Sequence, residues 1–278
     1  MEKNITFRQL YFDNDEDLQQ LVDLQNEVYK ARGLHFEKDE FTLWYVDNPA
    51  GKVISFNAFD GDRMIAHECF VPCFMKVGDR VLKSMRSMNV VTHPDYRGLG
   101  LFSKMTNMAI DFAIKEGYEL AFAVTNANSF PMFMKHAGFT FVTRLDVKMG
   151  YGDKIECDGD RLYKHHWTPE ILNWRLRYHK YYIKNNCIYC QYKPGVNTFM
   201  ARLPEELAKD VNLEHGSGPL GIRLYVGWGA KIKSPYFTVP KFVPHSPFNF
   251  IYRDLTGGTL PPITKENLFY QLLDYDVV

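Results

Sequence analysis

The sequence has no excess of either charge, no long apolar run and few cysteines. Its 33 basic and 33 acidic side chains give a formal charge of +0, which argues against retention on nucleic acid or an anionic membrane by net charge. No apolar run approaches the roughly 20 residues that cross a bilayer; the stretches Leu120–Val124 and Ile222–Val226 are strand-length. The opening MEKNITFRQL lacks the apolar block of a secretory signal, so a cytoplasmic setting without membrane insertion is expected. The five cysteines, Cys69, Cys73, Cys157, Cys187 and Cys190, are odd in number and form no dense framework, as reduced thiols would. Cys187 and Cys190 have metal-ligand spacing, but no second such pair completes a site, and no metal is expected.

The 278 residues are 46% apolar and 24% charged, the composition of a globule with a real core, in one large domain or two ordinary ones. The first half alternates strands and helices. Ile5 to Tyr11 reads as a strand, and the acidic cluster Asp13 to Asp17 offers N-caps for a helix that Gly33 stops. A second helix carries Phe41, Trp44 and Tyr45. Lys52–Phe59, Met64–Val77 and Lys83–Thr92, joined at Asp60-Gly61-Asp62 and Gly78-Asp79, read as antiparallel strands. A helix follows Gly100 and closes at Gly117, before a strand at Glu119–Thr125, a short helix at Ser129–His136 and a strand at Phe139–Met149. Gly150, Gly152 and Gly159 interrupt an aperiodic segment and place a boundary there, giving units 1–150 and 151–278. The second unit begins with a helix capped by Thr168 and Pro169. It is then strand-rich, with candidates at Cys187–Tyr192, Asn197–Leu203, Ile222–Val226, Tyr236–Val239, Phe248–Leu255 and Leu268–Val278.

Arg97-Gly98-Leu99-Gly100 opens directly into a helix. Backbone amides at such a helix start suit phosphate, glycines allow an anion close to the chain, and arginine adds a permanent charge. An ordinary tight turn uses the same residues. The loop ends in no Gly-Lys-Ser/Thr and lacks the three-glycine spacing of a dinucleotide fingerprint.

The run from Val90-Val91-Thr92-His93-Pro94 through Arg97-Gly98-Leu99-Gly100-Leu101-Phe102, then Asn126, Asn128 and Gly138-Phe139, resembles the GNAT superfamily of acyl-CoA-dependent N-acyltransferases. The resemblance covers about residues 5 to 149 and includes the order of elements. It implies an α/β fold with a mixed sheet, acyl-coenzyme A as co-substrate, and a second half that is strand-rich and a degenerate copy of the same fold. It further implies that amides from Arg97 to Ser103 hold the pyrophosphate, that Val90 and Val91 bond the pantetheine arm, and that Asn126 and Asn128 lie near the thioester. Phe102 departs from the signature's small residue and reads as core. Where many members have a tyrosine that protonates the leaving thiolate, this sequence has Met134, with Phe133 beside it.

The expected chemistry is attack of a neutral amine on a thioester, driven by positioning and by an amide that stabilises the oxyanion. Asp276 and His67 are the candidate bases, with His35, Glu68 and Asp274 behind them. Trp174-Arg175, Asn249 to Tyr252 and the run Leu268 to Val277 resemble bacterial two-part members encoded with surface-polysaccharide genes. That likeness implies a nucleotide-linked deoxyamino sugar as acceptor, a dTDP- or UDP-amino sugar such as a dTDP-3-amino-3,6-dideoxyhexose, with Trp174, Arg175, Tyr252 and Asp274 binding it. Small-molecule partners are expected and nucleic acid is not; the oligomeric state stays open. An acceptor that is a peptide, an antibiotic or a polyamine is the alternative, as is a non-catalytic acyl-CoA-binding regulator. The basic cluster Lys164-His165-His166 with Arg175 and Arg177 suits a substrate diphosphate, nucleic acid in a rival reading, or a solvated helix face.

Overall fold

The protein is described by a computed structural model over residues 4–157, 161–177, 179–193, 195–216, 221–240 and 245–275, with main chain alone at 157, 192 and 193. The first half contributes β1 (Ile5–Leu10), α1 (Asp15–Tyr29), α2 (Lys38–Phe41), β2 (Ile54–Asp60), β3 (Arg63–Val77), β4 (Arg80–Thr92), α3 (Leu101–Lys115), β5 (Leu120–Thr125), α4 (Phe130–His136), β6 (Thr140–Arg144) and β7 (Asp146–Gly150). The second contributes β8 (Ile155–Cys157), β9 (Tyr163–His165), α5 (Pro169–Arg175), β10 (Tyr181–Lys184), β11 (Cys187–Lys193), β12 (Val196–Arg202), α6 (Glu205–Lys209), β13 (Glu214–His215), β14 (Ile222–Trp228), β15 (Ala230–Ile232), β16 (Tyr236–Thr238), β17 (Asn249–Asp254) and β18 (Tyr270–Gln271). Among the described residues, no helix is long and apolar enough to cross a membrane.

Local chemistry sets the helices. Asn14 caps α1 through its side chain on the Asp17 amide, and Asp15, Glu16 and Asp17 sit in the first turn, where the helix dipole favours anions. Leu18, Leu21, Val22 and Leu24 then face the core. Helix α3 buries Leu101, Phe102, Met105, Ala109, Ile110 and Ala113 against the sheet.

The strands form two mixed sheets with a common plan. The first runs β1-β2-β3-β4-β5-β17-β6, and the second runs β13-β10-β11-β12-β14-β7-β16. The second sheet has a parallel pair at its edge, β10 with β13, and each sheet has one internal parallel pair, β4 with β5 and β12 with β14, among antiparallel neighbours. The next slot is filled from the other half. Strand β17 pairs antiparallel with β5 and β6, while β7 pairs antiparallel with β14 and β16. The first half thus gives β7 to the second sheet, and the second half gives the first sheet β17 and also β9, which pairs antiparallel with β3.

That exchange revises several expectations. The boundary near residue 150 is crossed by sheet pairing in both directions, because β7 leaves the first sheet and β17 enters it. The strand expected over Phe139–Met149 breaks at Leu145, whose amide bonds the Phe248 carbonyl, so that β6 and β7 join different sheets. The strand expected over Leu268–Val278 shortens to β18 and turns at Leu272–Asp274, where the Asp274 carboxylate folds back onto the Gln271 amide. Cys187 and Cys190 belong to different core clusters on β11, as three residues along a strand requires. Among the described residues, no group of three or more His, Cys, Asp or Glu side chains could hold a metal ion.

Candidate active site

The parallel pair β4–β5 is joined only where Ser84–Arg86 meet Leu120–Phe122. Beyond Arg86 and Phe122 the strands part. A bulge assists: Cys69 of β3 faces Met88 and His67 faces Val91, so two residues of β4 fall out of register. One is Asn89, held at φ +54°, a left-handed conformation that Asn tolerates better than most residues. The bulge is gripped from outside the sheet. Gln25 donates to the Asn89 carbonyl at 2.9 Å, and the Asn89 amide donates to the Tyr45 hydroxyl at 3.1 Å.

Two connected cavities fill the opening, with Tyr29, Val90, Asn126 and Ser129 lining both. The wider, about 840 Å³, is bordered by Val91, Arg97, Gly98, Gly100 and the start of α3. The narrower, about 280 Å³, runs between Ser87–Val90 and Ala123–Asn126, with Phe133, Glu40 and Tyr275 on its walls.

Helix α3 begins at Gly100, at φ +71°, with no capping side chain. Gly98 is also left-handed, at φ +80°. A Cβ added at either meets nothing within 4 Å; the backbone conformation, not crowding, therefore calls for glycine. The amides of Gly98, Leu99, Gly100, Leu101, Phe102 and Ser103 make no hydrogen bond among the described residues. Such a row of unpaired donors at a helix start is an anion cradle. Arg97 differs from the expectation for it. Its amide is spent on the Pro94 carbonyl and its Nε lies 3.3 Å from the Thr92 carbonyl, which anchors the guanidinium at the mouth.

The remaining expected residues fall unevenly. Asn126 lines both cavities and Asn128 the wider; the Asn126 side-chain oxygen accepts from the Asn128 and Ser129 amides, which fixes the turn into α4. Leu99 lies outside both cavities, half-exposed. Phe102 packs edge-on to Phe133 at 4.9 Å between centroids. Asp276 lies outside the described residues.

His67 is not brought to the cleft. It is fully buried against Phe12 and Tyr45. Its Nδ1 donates to Asn57 Oδ1 at 2.7 Å, leaving Nε2 to accept from the Tyr45 hydroxyl at 3.1 Å. Burial pushes its pKa down to about 3, because charging it there forfeits hydration.

The four expected acceptor residues do not gather at the opening either. Trp174 donates to the Leu43 carbonyl, and buried Arg175 donates to the Tyr181 hydroxyl with its guanidinium over Trp44. The Tyr252 hydroxyl accepts the Ile263 amide. Asp274 accepts from Trp167 and the Gln271 amide, and burial raises its carboxyl to about 7. It lines a separate cavity of about 670 Å³ between the halves, with Lys76, Lys164, His166 and Arg202. Two residues at the opening escaped sequence reading. Arg32, just past α1, lines the wider cavity, and Glu40 lies where the narrower one joins an outer recess that holds Glu37, Asp39 and Asp47.

A mixed sheet split at its parallel pair, with an uncapped helix start beside the gap, offers an anion a seat at the mouth and an extended arm a path between the strands. Residues 13–141 match the family model described as acetyltransferase (GNAT) domain, and that stretch of the chain is such a domain. The whole chain is similar in fold to solved structures at low identity. One is a conserved Enterococcus faecalis V583 protein described as a probable N-acyltransferase, with TM-score 0.60, 11% identity, and 91% of this chain and 73% of that one covered. A second is a GCN5-related N-acetyltransferase of Kribbella flavida, with TM-score 0.59, 11% identity and coverage of 92% and 72%. A third is a GCN5-related N-acetyltransferase of Anabaena variabilis ATCC 29413, with TM-score 0.55, 10% identity and coverage of 91% and 74%. No curated protein sequence matches the chain.

Proposed function

We propose that this protein transfers an acyl group from coenzyme A to a primary amine. The observation that carries the reading is the row of unpaired amides from Gly98 to Ser103, beside Arg97 and Arg32, at the mouth of the split sheet. Amides and guanidinium groups suit a pyrophosphate. From there an acyl-pantetheine arm would follow Val91 and Val90 into the gap, and the thioester would lie between the Asn89 bulge and Asn126. Main-chain donors at the bulge would stabilise the oxyanion; losing one such donor typically costs about 3–4 kcal/mol of transition-state binding.

For the acceptor, the cleft favours a cationic amine, on a polyamine, a peptide or an amino-bearing antibiotic. Its narrow end carries Glu40 and opens beside Glu37, Asp39 and Asp47, which outnumber the one cation of that recess, Arg177, and would concentrate a cation at the opening. One observation favours the nucleotide-linked deoxyamino sugar of polysaccharide synthesis instead. The cavity between the halves gathers Lys76, Lys164 and Arg202, and cations of that kind suit a diphosphate.

A thiol-release screen separates the readings. Acetyl- and short hydroxyacyl-CoA are offered with polyamines, amino-bearing antibiotics, amine-ended peptides and dTDP- or UDP-linked amino sugars. Release with the polycations supports the first acceptor class, and release with the sugar nucleotides alone supports the second. Coenzyme A binding with no release in any well would make the protein a non-catalytic acyl-CoA-binding module.

A further inference from the structure

Acyl transfer leaves one proton to be placed. The amine attacks the thioester carbon, the tetrahedral adduct collapses, and the C–S bond breaks with its electron pair on sulfur. The thiolate then takes up a proton. Helix α4 presents Phe133 to this part of the cleft and carries Met134 next to it, and neither has a hydroxyl. Ser87 does. It lies on β4 one residue beyond the last pairing with β5, and it lines the narrow cavity with Ala123, Val124, Thr125 and Phe133.

Behind Ser87 stands Glu68 of β3, wholly buried. Its Oε1 is 3.1 Å from Ser87 Oγ, and its Oε2 is buried with no hydrogen-bond partner among the described residues. An ionised carboxylate left half-satisfied there would be costly. Burial accordingly holds the carboxyl well above its ordinary range, against a smaller opposing pull from Ser87, so that a proton is stored one hydrogen bond from the cleft. His67, the adjacent residue, points to the other face of the sheet, into the Tyr45 network.

We infer that Ser87 and Glu68 together deliver the proton to the departing coenzyme A thiolate, in place of a phenolic hydroxyl on α4. Ser87 Oγ gives its hydrogen to sulfur as the C–S bond breaks, and the Glu68 carboxyl proton moves to Ser87 Oγ. The proton lost by the attacking nitrogen restores neutral Glu68 before the next turnover, so amine plus thioester becomes amide plus thiol with none left over. The inference rests on the acyl-transfer reading above.

Its test uses the full-length protein with an amine that supports thiol release. Ser87→Ala is expected to lower kcat about 100-fold, the scale of general acid catalysis, with acyl-CoA affinity by calorimetry unchanged. Ser87→Thr keeps a hydroxyl and should retain most of kcat. Glu68→Gln keeps a hydrogen-bonding group but no transferable proton, and should fall as far as Ser87→Ala. Release by Ser87→Ala within threefold of the parent overturns the inference and leaves the acyl-transfer reading standing, as does equal loss in the alanine and threonine variants. A parent that binds acyl-CoA and releases no thiol with any amine removes both.

Discussion

Replacing His67 with Gln tests whether this buried imidazole is a structural group or a base. A glutamine supplies one acceptor for the Tyr45 hydroxyl and one donor for Asn57 Oδ1, replacing the ring's bonds at 3.1 and 2.7 Å and giving up its longer contact with Ser55 Oγ at 3.4 Å. The parent ring has a folded pKa of about 3 against an ordinary 6.5. Below pH 6.5 the unfolded chain therefore binds a proton that the folded chain refuses, and stability is lost as pH falls. Each pH unit across the gap is worth about 1.4 kcal/mol, so two units, from 6.5 to 4.5, cost the parent about 3 kcal/mol that the variant does not lose. Asp274, raised to about 7, changes stability in the opposite sense over part of this window, but it is common to both proteins and cancels in the difference. Urea unfolding of parent and His67→Gln at several pH values from 7.5 to 4.5 reads the effect directly. Parallel stability profiles would refute the reasoning, since they would mean that the ring titrates as if in water. The pH profile of thiol release should be alike in both proteins; loss of a limb near pH 6 to 7 in the variant would return His67 to the role of base.

Three further outcomes follow from the site and the sheets. Arg97→Ala should weaken coenzyme A binding by the roughly 1.5–3 kcal/mol of a charged hydrogen bond, about tenfold or more, and calorimetry showing no change would remove the phosphate from this loop. Gly100→Val places a branched side chain at φ +71°, where a non-glycine residue costs about 1–2 kcal/mol; it should lower both Tm and cofactor affinity, whereas Gly100→Asn should retain more of each. Equal coenzyme A affinity in parent and both variants would make the loop an ordinary turn. Phe250→Ala empties a fully buried position on the exchanged strand β17 and should destabilise the protein by about 3–5 kcal/mol, seen in denaturant as one transition for the whole chain. Separate unfolding of the first half with unchanged midpoint would contradict the strand exchange.

Much of the first half was legible locally. The turns at Asp60-Gly61-Asp62 and Gly78-Asp79 marked β2 to β4, a mostly apolar run marked β5, the acidic cluster with Asn14 marked the start of α1, and Gly98 with Gly100 marked the uncapped start of α3. These signals lie within a few residues of what they specify. The narrow end of the cleft was not legible in that way. Ser87 and Glu68 are 19 residues apart and meet only through the β3–β4 register, and Arg32 follows an unremarkable helix end. Trp174 and Arg175 look like a substrate platform in sequence, since aromatic and cationic side chains serve both recognition and packing; their partners Trp44 and Tyr181 decide for packing.

The sequence by itself determined the left-handed glycine loop before α3, the alternation of elements and the amphipathic face of each helix, because backbone conformation and side-chain periodicity are set by near neighbours. Only the tertiary structure decided which strand fills the slot beside β5, where the parallel pair separates, and whether a histidine meets solvent or a tyrosine. Those outcomes depend on hydrogen bonds between residues far apart in the chain, such as Thr125 with Asn249, and on the desolvation that packing imposes, as Phe12 and Tyr45 do on His67.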